Sequence, residues 1–161
     1  MITSKDVHYI ANLLSSHVKK EPDSSVDAHS ESAYRSAISR YYYSAFIELR
    51  GILIHVISAD EVSKIKHAAM PEKLDKLRRL ANRYRSNVSP SEHSAVMNSL
   101  KELATIIDRS RELRESCDYD IGKPLFATYT EAKSNLQDAK RWYTTVASHR
   151  RIVESIMPRL I

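Results

Sequence analysis

Ser36–Leu53 reads SAISRYYYSAFIELRGIL, and its spacing decides the fold. Ala37, Ile38, Tyr41, Tyr42, Ala45, Phe46, Leu49, Ile52 and Leu53 recur every three or four residues, the apolar stripe of an amphipathic helix. Three consecutive tyrosines stand beside Arg40 in its middle, flanked by the small residues Ser36, Ala37, Ser44 and Ala45. Small side chains let a neighbouring backbone approach, and a buried tyrosine keeps a hydroxyl that needs a partner. The pattern predicts a helix from about Glu31 to Ser58, roughly 40 Å long at about 1.5 Å per residue, first or second in length, with the other helices packed around it. Gly51 inside it marks either a close crossing or a tolerated local cost of about 1 kcal/mol.

The totals agree with an all-α chain. Two glycines and five prolines in 161 residues leave little punctuation, and strand-like alternation is nearly absent. The length favours a single domain, residues 1–161, with one core. No apolar run approaches the roughly 18 residues of a membrane span, and the opening MITSKDVHYI lacks a secretory apolar region. Cys117 is the single cysteine, which excludes an internal disulfide framework and fits a reducing cytoplasm. A net charge of +5 mildly favours an anionic partner.

Outward from the central helix, Thr3 and Asp6 form a capping arrangement for a first helix with Val7, Ile10, Leu14 and Val18 inward, ending near Lys19 and Lys20. Glu21–Ser32 reads as a loop carrying His29, and residues 59–70 as a connector holding at most a short helical turn. Pro71 suits the first turn of a third helix with Leu74, Leu77, Leu80, Ala81 and Tyr84 inward. Lys64–Arg85 holds eight Lys or Arg against Glu72 and Asp75, the strongest local charge bias in the chain. It is either a solvated face or a phosphate-backbone surface. No aromatic ladder accompanies it, so base stacking is not suggested.

A fourth helix runs from about Ser91 to Cys117, its stripe being Val96, Leu100, Leu103, Ile107 and Ser110. Four residues further the stripe reaches Arg114. An unpaired buried guanidinium is costly, so Arg114 either finds an acidic or carbonyl partner or faces a cleft or subunit interface. Asp118–Ala127 breaks the helix, and Thr128 with Glu131 reads as a capping box for a fifth helix. That helix turns Ala132, Leu136, Ala139, Tyr143, Val146, Val153 and Met157 inward, with Trp142 beside the stripe. The reading is an up-and-down bundle of about five helices. No repeat, phosphate-binding glycine loop, zinc spacing, hydrolase elbow or di-iron motif occurs, so neither metal nor cofactor is expected.

SAISRYYYSAF (36–46), KHAAMPEKL (66–74) and LRESCDYD (113–120), taken in that order and spacing, resemble the HEPN superfamily (higher eukaryotes and prokaryotes nucleotide-binding). The closest branch is that of small stand-alone bacterial and archaeal proteins, and the resemblance spans about Tyr34 to Tyr143. It implies a helical bundle, usually a homodimer. It also implies metal-independent ribonuclease chemistry in a toxin or phage-defence setting, often beside a nucleotidyltransferase-type antitoxin or another defence-system partner. The family signature is an arginine followed, after four to six residues, by a histidine near the end of a long helix, two copies meeting in one cleft. Arginine would stabilise the phosphorane charge, and histidine would move the 2′-hydroxyl proton.

Arg114 matches the family arginine, but Tyr119 stands where the histidine should be. The literal spacing occurs at Arg50 and His55 in mid-helix, where the two lie about 140° apart around the axis and read as bystanders. The expected catalytic set is therefore Arg114 with His67 as acid/base and Tyr119 as a hydroxyl, although a free tyrosine pKa near 10 makes a poor base. Arg40, Lys66, Arg78, Arg79 and Arg83 are the expected nucleic-acid contacts. Tyr42, Asp118 and Asp120 brace the site, either acid being able to pair with Arg114, and the tyrosine hydroxyls are expected behind the cleft. Three functions stay open: a homodimeric RNA-binding ribonuclease, a non-catalytic module that binds a partner protein or nucleotide and relies on another subunit for chemistry, or a purely structural helical-bundle adaptor, to which a monomer with Arg114 buried in an ion pair would point.

Overall fold

The computed structural model describes residues 3–16, 25–120 and 122–161. Among them there are no strands and six α-helices: α1 (Ser4–Ser16), α2 (Ala28–Leu53), α3 (Ala59–Ser63), α4 (Met70–Arg83), α5 (Pro90–Tyr119) and α6 (Tyr129–Leu160). The chain is thus an all-α helical bundle, as expected. The helix beyond the expected five is α3, a five-residue element closed by a reciprocal box between Ser58 and Glu61. A 3₁₀ turn, His67–Ala69, follows it.

The central helix starts three residues early because Asp27 caps it, accepting from the Ser30 backbone N–H at 2.9 Å and the Ser30 hydroxyl at 2.8 Å. It stops at Leu53, short of Ser58, where the N–H groups of Val56 and Ile57 fold back on the Leu53 carbonyl. At 26 residues it ranks below α5, with 30, and α6, with 32. Thr3 and Asp6 cap α1 reciprocally. Val18, Lys19 and Lys20 lie outside the described residues. Of the remaining expected inner face of α1, Val7 is buried and Leu14 half-buried, but Ile10 is 46% exposed. Ser4, Val7 and Ala11, spaced by three and four, are the buried set instead.

By its contacts the chain divides into two units, Met1–Ala45 with Ser110–Thr144, and Phe46–Arg109 with Thr145–Ile161. In the first, Tyr34, Ala37, Ile38 and Tyr41 of α2 join Ala11, Cys117, Phe126, Tyr129, Ala132, Leu136 and Ala139 in one apolar cluster. Trp142 packs partly buried against it. The hydroxyl of Tyr41 donates to Asn12 Oδ1 at 2.6 Å.

The second unit buries the apolar stripes of its helices, including Phe46, Leu49, Leu74, Leu77, Leu100, Leu103, Val153 and Met157. Leu80 of the expected α4 face is half-buried and Tyr84 is 38% exposed. Gly51 marks a close approach: a β-carbon there would stand 2.6 Å from the Arg150 guanidinium carbon. That guanidinium is held by Glu48 at 3.1 Å and Glu154 at 2.6 Å. Arg50 donates twice to the Val62 carbonyl, at 2.9 and 2.7 Å, while His55 lies 3.5 Å from Glu154. These are local structural uses of both residues.

α5 opens at Pro90, one residue before the expected Ser91, behind a capping box. Ser89 N–H donates to Glu92 Oε2 at 3.0 Å, and Glu92 N–H to the Ser89 hydroxyl at 3.3 Å. The Ser89 hydroxyl and backbone, then Arg159, hold the Glu92 carboxyl at about 2, below its ordinary 4.5. A folded pKa below the unfolded one adds stability that is complete above the unfolded value and fades as pH falls towards the folded one. Glu92→Gln is therefore expected to lower the urea midpoint at pH 7, and the gap should narrow steadily between about pH 5 and pH 3. A gap constant across that range contradicts this account of the cap. At the start of α6, Thr128 caps Glu131 N–H at 3.2 Å, but the Glu131 carboxylate reaches Ala127 N–H rather than returning to Thr128.

Candidate functional site

The inward stripe of α5 does continue to Arg114. Ser110 is fully buried and Arg114 only 4% exposed. Three rings surround the guanidinium, with centroids 5.2 Å (Tyr42), 5.7 Å (Tyr43) and 5.8 Å (Tyr119) from its carbon. A cation over ring faces at these distances is attracted by the ring quadrupoles. Arg114 Nη1 also donates to Asp118 Oδ2 at 3.3 Å, one turn on. The other Asp118 oxygen accepts from the Ser39 hydroxyl at 2.5 Å, so the carboxylate bridges α2 and α5. Glu115 is a looser second acid, 4.0 Å away.

Burial alone pulls the Arg114 pKa down. The Tyr119 hydroxyl, Tyr43, Asp118 and Tyr42 outweigh it and raise the net value, so the cation is fixed. The Tyr42 hydroxyl is pushed up to about 12 by burial, against the opposing pull of Arg114. Arg114 Nε is buried without a hydrogen-bond partner. Tyr119 closes the outer side of the cage while its own ring is 73% exposed.

Of the residues expected from sequence, Tyr42, Arg114, Asp118 and Tyr119 are brought together. Tyr43 joins them, whereas Tyr41 turns to Asn12. Asp118 is the partner of Arg114, not Asp120, which is exposed beyond the helix end. Arg40 is exposed on α2.

The others belong to the second unit. There the His67 ring lies against that of Phe46, 3.9 Å from centroid to centroid. Arg78 and Arg79 share Asp75 at 2.7 and 2.8 Å, and Lys66 and Arg83 are exposed. Among the described residues no cluster of three His, Cys, Asp or Glu side chains is placed to hold a metal ion.

A second buried arginine escaped the sequence reading. Arg35, 9% exposed, donates through Nε to Glu31 Oε1 at 2.8 Å. Its other nitrogens reach the carbonyls of Ser116 at 3.1 Å, Cys117 at 3.5 Å and Lys123 at 2.6 Å. Glu31 in turn accepts from Leu125 N–H at 2.8 Å. Arg35 therefore joins the carbonyls of the last turn of α5 to the loop beyond it. The available signal was the four-residue spacing of Glu31 and Arg35, which puts opposite charges on one helix face. Glu31 stands where the polar stretch meets the helix, which hides that spacing.

Around this pair lies a cleft of about 590 Å³ lined by Ser32, Arg35, Ser36, Cys117, Asp118 and Lys123 among others. Asp118 thus belongs both to the cleft wall and to the Arg114 cluster.

Burial pushes the Cys117 thiol up to about 12, Arg35 offsetting only part of it. Only the thiolate is nucleophilic. Iodoacetamide at mildly alkaline pH is therefore expected to leave Cys117 intact in the folded protein and to label it once guanidinium unfolds the chain, as read by intact mass. Rapid labelling of the folded protein contradicts this.

No family model matches the chain, and no solved structure matches it. An uncharacterized protein of Methanocaldococcus jannaschii is 30% identical to it over 118 residues, 73% of this chain and 65% of that protein. The chain therefore spans slightly less than two thirds of that relative's length. Among the described residues no helix is long and apolar enough to cross a membrane.

Proposed function

We propose that the chain is a HEPN-type RNA-binding protein that works in the cytoplasm as a homodimer and cleaves RNA without metal, in a toxin or phage-defence role. A single observation carries this reading. Two of the segments behind the resemblance, far apart in sequence, meet at one buried cation, Arg114, ringed by Tyr42, Tyr43, Asp118 and Tyr119. A packing role alone does not require a guanidinium there, since an apolar side chain of similar volume is often as stable or more so. In the proposed reaction Tyr119 swings aside and Arg114 meets the phosphate charge. The proton is moved by a group from elsewhere in the dimer, for which His67 stands as the proposed histidine. A nucleotidyltransferase-type antitoxin or another defence-system protein is the proposed regulator.

The test is cleavage of total RNA by purified protein in excess chelator, beside Arg114→Lys, which keeps a positive charge but not the forked geometry. Cleavage by the wild type and at least a hundredfold loss in the variant are expected. No cleavage, or undiminished cleavage by the variant, overturns the catalytic assignment.

The pairing of Arg114 with Asp118, and a tyrosine at the position of the expected histidine, favour a second reading. In it the chain is a non-catalytic module that binds nucleotide or partner protein and leaves chemistry to another subunit. Nucleotide binding without cleavage, measured by calorimetry, identifies it.

A further inference from the structure

In the second unit, the end of α2 and one face of α4 enclose an apolar slot of about 240 Å³. Leu53, Val56, Ile57, Leu77 and Leu80 form it, and Lys73 and Lys76 stand on its rim. Leu53 and Leu77 are buried floor residues, while Val56, Ile57 and Leu80 are only half-covered. Ile54, on the turn that leads out of α2, is 56% exposed. The slot is smaller than the roughly 300–1,000 Å³ typical of cofactor and small-molecule sites. It is of a size to accept a few apolar side chains from outside.

The charge around the slot narrows what those side chains belong to. Both acids of α4 are already committed: Glu72 to Lys76 at 2.8 Å, and Asp75 to Arg78 and Arg79 together. Lys73 and Lys76 are the charged residues that line the slot and no acid lines it, so its rim is positive. The Lys76–Glu72 pair is well exposed, 62% and 65%, and such a pair is exchanged for a new partner at little cost. An RNA backbone would satisfy the lysines but leave the leucine and isoleucine floor unfilled. A neutral apolar segment would fill the floor and ignore the lysines. Helix-in-groove recognition meets both needs, with anchors at three- and four-residue spacing in the slot and acids beside them.

We infer that this slot is the docking site for an acidic amphipathic helix of a partner protein, whose apolar face enters between α2 and α4 while its Glu or Asp side chains meet Lys73 and Lys76. The surface is separate in sequence from the Arg114 cluster and does not depend on the proposed ribonuclease activity.

The probe is a synthetic amphipathic helix with leucines at three- and four-residue spacing flanked by glutamates, set against a scrambled peptide of the same composition. Anisotropy with the full chain is expected to show binding by the first only, weakening as salt is raised. Ile57→Asp, at a half-covered position, should weaken binding at least tenfold with the helical circular dichroism unchanged. The double change Lys73→Glu and Lys76→Glu should abolish it, and a lysine-flanked version of the peptide should restore it. In methyl spectra the shifts should centre on Val56, Ile57, Leu77 and Leu80. Equal binding of the scrambled peptide, or indifference to Ile57→Asp, overturns the inference. So does displacement of the peptide by an RNA oligonucleotide that itself needs both lysines, since the surface is then a phosphate site.

Discussion

Arg114→Ala is expected to destabilise the protein by about 3 kcal/mol, because removing one member of a buried ion pair leaves its partner and its cavity uncompensated. The loss has two parts. The three tyrosine rings lose the cation they surround, and Asp118 keeps Ser39 but loses its guanidinium. Asp118 is 28% exposed, so water reaches it and the penalty sits at the low end of the buried-pair range. Arg114→Met fills most of the space and is expected to cost about half as much. Combining Arg114→Met with Asp118→Asn should be milder than the sum of the two, by about 1 kcal/mol, in a double-mutant cycle from urea unfolding. Strict additivity contradicts the pairing. A folded Arg114→Met that abolishes RNA binding while losing only that modest stability separates function from packing, which Arg114→Ala alone cannot do.

Arg35→Ala is expected to have the larger effect on stability, about 3–5 kcal/mol. One side chain donates to Glu31 and three main-chain carbonyls, and its removal loses all four bonds at once, although Glu31 keeps Leu125 N–H and the Ser116 carbonyl keeps Asp120 N–H. Arg35→Lys should recover little, because an ammonium cannot span a carboxylate and carbonyls on two segments at once. Glu31→Gln should be milder than either, since an amide oxygen still accepts from Leu125 N–H. Thermal or urea unfolding measures all three. A loss for Arg35→Ala below about 1 kcal/mol means that water from the adjoining cleft takes over its bonds and that the end of α5 does not depend on it.

These two arginines also show how far the sequence could be read. Arg114 was legible because α5 keeps an unbroken apolar stripe from Val96 to Ser110, so its continuation fixes what points inward. Tyr42 and Asp118 followed from it as neighbours of a buried cation. Arg35 was not legible as a buried group: its bonds run to residues 81 to 88 positions away as well as to its own helix, and periodicity carries no long-range information. Ile10 went wrong for a related reason. Both Ile10 and Ala11 fit three- and four-residue spacing from Val7, and the fold buries the smaller of the two. His67 belongs to the other unit, where its ring lies on Phe46, and no local pattern encodes a tertiary placement of that kind. The basic bias of α4 was real in composition, but much of it is spent within the helix on Glu72 and Asp75.

Each unit is assembled from two stretches of chain separated by a long interval. The bonds that close them reach across the whole of it and beyond: Tyr129 to Asp27 and Arg150 to Glu48 each join residues 102 positions apart. On the ribosome neither unit can complete itself while only the first hundred residues have emerged, although α1, α2 and α4 are already made. Long-range closure of this kind slows folding relative to a bundle of sequential hairpins. The half-made helices meanwhile present their leucine and tyrosine faces to whatever is nearby. A nascent chain of this design has a long window in which it needs shielding, and it commits to its structure only when α6 arrives.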